Sequence, residues 1–539
     1  MKPDCKKLVA RYHRLQSDRK ITEEVWELIE RFIYPIGGSK YFQPLSTEGE
    51  MQWRRRYIYD DTAINGADTL AASIHGSLTS PAVKWFDLGF DIPALSKSVE
   101  AQSWLDQCAE ITWDAIQASN FNREIAEGYL DLVSFGNTLM MHLPVDDLKW
   151  EGVRFDAVPL REIYFDEDED DQVCTLFRRL SWKPSQICDK FGDATPEKIK
   201  KRAEASDTTR IELIHCIYKD DNVTSTSDTV VSIEKRKYKS CYILTENAEM
   251  IGDLGGFHEM PAYMTRWRRA PGSQWGYGPG HLAISSVMTL NELVKLVLES
   301  AEKVIDPPSL VQRRGLMSDL DLSPGGQIIV NDIDKAARPY ESGARFDVSA
   351  LQVADLRDMI RRLFHVDQLE LKESPAMSAT EVMVRYELMN RLLGPTMGRL
   401  QSDLLDPLIN NTFMMLYRAR KFPEMPDVVA EAGGEMHVRY VGPLSRAQKS
   451  DDIASVERWL TDIANFSQIF PDLRHVPNPV EIAKFLAKGL NIPADLMKSD
   501  PQIKAAQNKD KQAQEQATQN EFRAQEAEIS NIEQGAGAA

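Results

Sequence analysis

The chain carries no G-x-x-x-x-G-K-[ST] loop, so the backbone cradle that holds a nucleotide's phosphates in a motor ATPase is missing. It has no H-E-x-x-H pair and no C-x-x-C pair. The nine histidines are scattered, and the six cysteines, Cys5, Cys108, Cys174, Cys188, Cys216 and Cys241, lie far apart. That spacing argues against a disulfide framework or a structural zinc and points to reduced thiols in a cytoplasm-like compartment. No stretch approaches the roughly 18 uncharged apolar residues of a bilayer span, and Met1–Lys20 lacks the apolar core of a signal peptide. The expectation is a protein neither secreted nor membrane-embedded. Excess positive charge is absent too: 64 Lys and Arg stand against 82 Asp and Glu, a formal net charge of -18. A tight grip on nucleic acid over the whole surface is thereby disfavoured, whereas a surface that lets a polyanion slide past needs few phosphate contacts.

What is present is enough for several packed domains: 539 residues, 42% hydrophobic and 27% charged. Apolar spacing predicts helices over Ile21–Ile33, Tyr57–Leu78, Ala101–Ala118 and Arg123–Val133. From Gly136 to about Met264 the texture turns to β-rich runs: Thr138–Leu143, Val153–Val158, Cys174–Leu180, Ile211–Tyr218, Val230–Ile233 and Cys241–Leu244. These predict a mostly antiparallel sheet domain. Gly276, Gly278, Pro279 and Gly280 then read as a hinge that opens a helix over His281–Val304, stopped by Asp306, Pro307 and Pro308. A compact insert over Pro307–Arg345, with a strand at Gln327–Val330, precedes a second helix of similar length, Ser349–Leu371, whose start matches a capping box of Ser349 and Gln352. A third stretch, opened by Ser378 and Glu381, runs to about Arg420 with kinks expected at Pro395 and Pro407. A strand at Met436–Val441 and helices at Ala447–Phe466 and Val480–Gly489 follow, and beyond Pro501 the chain is rich in Ala, Gln, Glu and Lys. The fold class is α+β, predominantly α-helical.

Several local signals carry little weight. In Gly276–Gly280 the proline removes a donor that a phosphate loop needs. The acidic run Asp166–Asp171 lacks the central glycine and terminal glutamate of a calcium loop and reads as a solvated turn. Basic clusters at Arg54–Arg56, Lys235–Lys239, Arg266–Arg269 and Arg313–Arg314 read as solvated faces, with Trp53 and Trp267 as anchors under arginine stems. His215 and Cys216, neighbours on one strand, point to opposite faces and read as packing residues. No catalytic residue, metal ligand or cofactor site is predicted. On the helix His281–Val304, Glu292, Lys295, Glu299 and Glu302 recur at steps of three and four, while Leu290, Leu293, Val294, Leu296 and Val297 cover most of the rest.

Five segments, WRRRYIYDDT at Trp53–Thr62, SLTSPAVKWF at Ser77–Phe86, NREIAEGYLDLVSFGNTLM at Asn122–Met140, GYGPG at Gly276–Gly280 and MSATEV at Met377–Val382, resemble the podophage portal (head-to-tail connector) family. The likeness extends to about residue 500. It implies a wing over 1–280, a stem of 281–304 and 347–371, a clip over 305–346 and a tunnel loop at 371–377. A kinked wing helix with its returning strand would occupy 378–442 and a crown 443–500, ahead of a polar tail, 501–539. The resemblance further implies a homododecameric ring at a capsid vertex of the virion, assembled in the host cytoplasm, with a channel for viral double-stranded DNA in packaging, retention and ejection. Its partners would be the terminase large subunit, a tail adaptor, and the major capsid and scaffolding proteins, with no membrane and no enzyme activity. The stem stripe of Glu292, Lys295, Glu299 and Glu302 would line the channel, and Leu371, Lys372, Glu373, Ser374, Pro375, Ala376 and Met377 would project into it. Arg313, Arg314, Asp319, Asp321 and Arg345 would mark the clip that docks motor and adaptor. An alternative reading is another virion structural or internal core protein without a DNA channel. A metal-dependent nuclease is disfavoured, because the carboxylates of the acidic run are consecutive and lack a partner base.

Overall fold

The computed structural model describes 3–35, 57–305 apart from short gaps, 309–310, 338–339, 346–369, 393–432, 436–440, 443–466 and a few positions in 479–486. The chain divides into two compact units, Met1–Trp85 with Thr112–Arg420, and Phe86–Ile111 with Lys421–Ala539.

The larger unit opens with α1 (Cys5–Phe32), capped by Asp4, whose Oδ1 accepts from the Lys7 N–H at 3.2 Å. This helix is far longer than the expected Ile21–Ile33. Its buried stripe of Val9, Tyr12, Leu15, Arg19, Trp26 and Ile29 keeps helical spacing, but an arginine stands in the middle of it and hides the pattern. Arg19 is 1% exposed. Its guanidinium lies 3.7 Å from the Tyr164 ring centroid, donates to the Leu160 carbonyl at 2.9 Å and to the Tyr164 hydroxyl at 2.7 Å, and pairs with Glu23 at 2.7 Å. A buried arginine satisfied this fully pins α1 to the sheet.

That sheet is a five-stranded antiparallel meander of β4 (Ile163–Glu167), β5 (Val173–Trp182), β6 (Ile211–Lys219), β7 (Tyr238–Leu244) and β8 (Glu249–Phe257), in chain order. Alternation along the strands gives it two apolar faces. Tyr164, Phe177, Ile214, Cys216, Cys241 and Ile243 pack on Val9, Tyr12 and Leu15 of α1. Leu180, Leu213, Leu244 and Ile251 pack on Ile187 and Ile199. Those two come from short helices, α5 (Pro184–Phe191) and α6 (Glu197–Glu204). The expected strand at Val230–Ile233 is not formed at its described end, since Ile233–Lys235 is a 3-10 turn, and 230–231 lie outside the described residues. Strands β4 and β8 escape the sequence reading because their runs mix glycine and acidic residues with apolar ones.

A second, three-stranded antiparallel sheet has the order β3 (Val153–Val158), β2 (Asn137–Pro144), β9 (Ala262–Arg266). It packs on α4 (Phe121–Phe135), which in turn packs on α2 (Thr62–Leu78) and α7 (Pro279–Ile305). Here the glycine cluster proves to be a tight joint and not a hinge. Gly136 ends α4 with φ 70°, and a Cβ there would lie closer than 3.0 Å to the backbone of Tyr277 and Gly278. Gly280 likewise meets the backbone of Ser134. Asn137 locks the joint: its Nδ2 donates to Phe135 O at 2.7 Å and Gly276 O at 2.9 Å, while its Oδ1 accepts from the Gly276 N–H at 2.7 Å. Two of the segments that carry the family resemblance are thus one structural contact.

Beyond α7, α8 (Phe346–Leu363) and a short α9 (Val366–Leu369) follow, and a helical stretch over 393–418 contains a π-turn at Gln401–Leu405 just before α10 (Asp406–Arg418). Pro407 sits in the first turn of α10, so the ladder breaks where its missing N–H required; what precedes residue 393, and with it the setting of Pro395, lies outside the described residues. A buried polar chain ties α10 to the sheet. Asn411 Nδ2 donates to the Tyr263 hydroxyl at 2.8 Å, that hydroxyl lies 3.1 Å from His142 Nδ1, and His142 Nε2 lies 3.5 Å from Thr412 Oγ1, which donates to Leu408 O at 2.8 Å. Burial pushes the pKa of His142 down to about 3, so the imidazole is neutral.

In the smaller unit β1 (Phe86–Phe90) pairs antiparallel with β10 (Met436–Tyr440), a long-range strand pair, and the Trp104 indole N–H donates to Pro423 O at 3.1 Å. The α3 helix (Val99–Gln117) belongs to this unit as far as Ile111, and α11 (Asp427–Ala432) and α12 (Pro443–Phe466) complete it. The expected helix at Val480–Gly489 and the tail fall almost wholly outside the described residues.

Candidate functional site

The helix α7 begins at Pro279, where a missing N–H costs nothing, and runs unbroken for 27 residues. Along its first half Ala283, Ile284, Val287, Leu290 and Asn291 are buried, at the steps of three and four that face α1, α4 and α8. Asn291 is the polar member of that stripe. Its Oδ1 accepts from the Tyr59 N–H at 2.7 Å and its Nδ2 donates to Tyr57 O at 3.0 Å. From α8, Arg357 pairs with the buried Asp60 carboxylate at 2.8 Å. The Tyr57–Asp61 segment is therefore strapped to both long helices. The sequence reading missed Asn291, Arg357 and Asp60, although an asparagine inside an apolar helix face is a signal that could have found the first.

From Glu292 to Glu302 no residue of α7 is buried. Glu292, Lys295, Glu299 and Glu302 stand on one helical face as expected, with Lys295 and Glu292 paired at 3.6 Å. Beside this stripe α7 leaves apolar side chains uncovered: Leu282 is 52% exposed, Leu296 49% and Leu298 53%, and on α8 Leu351 is 66% exposed. With about 100° of turn per residue, Leu296 and Leu298 flank the charged stripe on its two sides, so the outer half of α7 carries a charged stripe bordered by exposed leucines. By length and composition alone Pro279–Glu302 is apolar enough to cross a membrane, but Glu292, Lys295, Glu299 and Glu302 lie within it, so it is not a run of about 18 uncharged apolar residues.

The second long helix differs from its expected form. It starts at Phe346, so Ser349 lies inside the helix and is not its cap, and it ends at Leu363 and not Leu371. The cause is Phe364, fully buried against Gly66 of α2, followed by His365 in the left-handed region with φ 57°. Leu371, Lys372, Glu373, Ser374, Pro375, Ala376 and Met377 lie outside the described residues, as do Arg313, Arg314, Asp319, Asp321 and Arg345. Of the insert, the described part is its base, where Ser309 and Leu310 pair antiparallel with Pro339 and Arg338.

The acidic run is not a solvated turn at its start. Asp166 and Glu167 end β4. Asp166 pairs with Arg11 at 2.7 Å and Arg14 at 3.3 Å, and Glu167 pairs with Arg266 and, at 3.0 Å, with Arg269. Carboxylates and a basic cluster that the sequence reading assigned to solvent neutralise each other here, with Trp267 buried between the arginines. Lys239, also expected in solvent, is 4% exposed and donates to the carbonyls of Ile233 at 2.9 Å and Glu234 at 2.8 Å. Among the described residues no group of three or more His, Cys, Asp or Glu is placed to hold a metal ion. His215 is a packing residue, stacked on Tyr242 at 4.3 Å and bonded to Ser240 Oγ at 2.9 Å.

The sequence is similar to the "Probable portal protein" of Bordetella phage BPP-1, 26% identical over 551 aligned positions that cover 99% of this chain and 94% of that protein. It is also similar to the "Portal protein" of Salmonella phage epsilon15, 24% identical over 476 positions, 86% of this chain and 84% of that protein. Residues 5–497, which take in both long helices, the glycine joint and the strapped Tyr57–Asp61 segment, match one family model, and the chain belongs to that family, the bacteriophage head to tail connecting proteins.

Proposed function

We propose that the chain is a portal subunit: copies of it close into a ring at one capsid vertex around a channel that passes double-stranded DNA in packaging, retention and ejection. The role is structural and not enzymatic, and the reading as an internal core protein without a channel is not favoured by the family. The observation that carries the proposal is the pair of exposed leucines, Leu296 and Leu298, that flank the charged stripe on the outer half of α7. A ring needs a heterologous contact in which one face of each copy meets a different face of the next, and exposed leucines on both flanks of the charged stripe offer a contact on each side of the helix. Twelve is the copy number assigned to the ring.

In this reading α7 and α8 form the stem, 305–346 the clip, 371–377 the tunnel loop, 443–500 the crown, and the remaining body the wing. Glu292, Glu299 and Glu302, offset by Lys295 alone, face the channel and repel phosphates weakly, giving a wall of low friction. Lys295, Lys372 and Arg345 make brief phosphate contacts. Arg313, Arg314, Asp319 and Asp321 mark the clip rim for the terminase large subunit and then the tail adaptor, while capsid and scaffolding proteins meet the wing. Sedimentation velocity on Leu296→Asp tests the assignment: the variant is expected to fold and to lose the ring, and a ring of unchanged size contradicts it. Lys372→Ala is expected to alter packaging or DNA retention with the ring intact, and deletion of Gly315–Gly326 to spare the ring while abolishing motor binding in a pull-down.

A further inference from the structure

Three of the six cysteines meet in one place. Cys216 on β6 and Cys241 on β7 are direct cross-strand partners, both 0% exposed and in one apolar cluster. Cys5, the first residue of α1, packs half-buried against the same apolar cluster. Its Sγ lies 3.6 Å from Pro3 O.

The geometry already suits a disulfide. Directly opposed residues of an antiparallel pair hold their Cα atoms about 4.5–5.5 Å apart, inside the roughly 4.4–6.8 Å that a disulfide spans. On the far side of β7 the pairing with β8 slips at this position: Ser240 pairs with Gly255 and Tyr242 with Ile251, leaving Cys241 at the irregularity. A strand released from its ladder on one side can turn its side chain to meet the torsion a disulfide requires.

We propose that Cys216 and Cys241 are a latent cross-strand disulfide, closed by a low-molecular-weight disulfide that enters at Cys5. The Cys5 thiolate attacks one sulfur of the small disulfide, its S–S bond breaks, and one small thiolate leaves and takes up the proton that Cys5 released. Cys241 then attacks Cys5 Sγ, expelling the second small thiolate, which takes the Cys241 proton. Cys216 attacks Cys241 Sγ, and Cys5 departs and regains a proton. In sum two protein thiols are oxidised and one small disulfide is reduced to two thiols. Burial raises the pKa of both Cys5 and Cys216, so few thiolates are present near neutrality and the exchange is slow, quickening as pH rises. The product staples β6 to β7 across the segment 217–240, in the sheet that α1 and α5 cover.

The test uses the full chain in its native state, incubated with oxidised glutathione at pH 8, quenched, alkylated after unfolding without reductant, and mapped by mass spectrometry. The expected result is one cross-linked peptide pair, Cys216 with Cys241, and two equivalents of reduced glutathione. Cys5→Ser is expected to slow closure at least tenfold while leaving the same product. Cys216→Ser should trap Cys5 joined to Cys241. Full alkylation of Cys216 and Cys241 after prolonged incubation, with or without glutathione attached at other cysteines, overturns the proposal, as does a cross-link that forms only when denaturant is present. The wild-type mapping decides the matter even if a variant fails to fold.

Discussion

The two halves of α7 are one helix with two different duties. Pro279–Asn291 is knotted into the body by the glycine joint, the Asn291 strap and a buried stripe, whereas Glu292–Glu302 holds no fully buried residue. Both halves are rich in leucine and valine, so hydrophobicity alone does not separate a residue that holds the subunit together from one that waits for another copy. What separates them is whether the subunit's own chain covers the side chain. The first half is expected to answer to mutation through folding and the second through assembly.

The sharpest way to break that comparison is Gly280→Val, which drives a side chain into the Ser134 backbone and should cost about 3 kcal/mol or more. Chemical unfolding of the unassembled subunit measures it. Next comes Leu290→Ala, 1% exposed, expected to cost about 2–5 kcal/mol in the same assay. Acid sharpens the picture of the body. Burial holds the pKa of His142 and of His215 down to about 3, below the unfolded value near about 6.5, so the unfolded chain takes up these protons first. Stability is therefore full above the unfolded value and lost as pH falls from there toward 3, each histidine adding up to about 1.4 kcal/mol per pH unit. His142→Gln should remove one histidine's share of that slope, read from unfolding midpoints between pH 7 and pH 4. The smallest effect on the subunit belongs to the far half: Leu298→Ala, 53% exposed, should change stability by no more than about 0.5 kcal/mol, and a larger loss would mean that its own chain covers it.

Much of this was legible in the sequence, for definite reasons. Helices with an uninterrupted apolar period, α2, α3 and α4, span Thr62–Leu78, Val99–Gln117 and Phe121–Phe135, within about five residues of the expected Tyr57–Leu78, Ala101–Ala118 and Arg123–Val133. The charged stripe on α7 also stands where its spacing put it. The misses share one physical cause, which is that long-range partners overrule local signals. Arg19 looks like a break in an apolar pattern until the carbonyls of Leu160 and Ile163 are there to receive it. Asp166 and Glu167 look like a solvated run until arginines from α1 and from Arg266–Arg269 arrive. The early end of α8 follows from a space left by Gly66 for Phe364, which no periodicity within α8 encodes. Gly276–Gly280 has the composition of a hinge, and only the approach of Ser134–Asn137 makes it a joint.

Electron microscopy of the purified full-length protein tests the central claim most directly. Averaged images should show a closed ring of twelve copies around a central hole. A population of compact single copies at every salt concentration, with Leu296 and Leu298 protected from solvent labelling in that state, would contradict it.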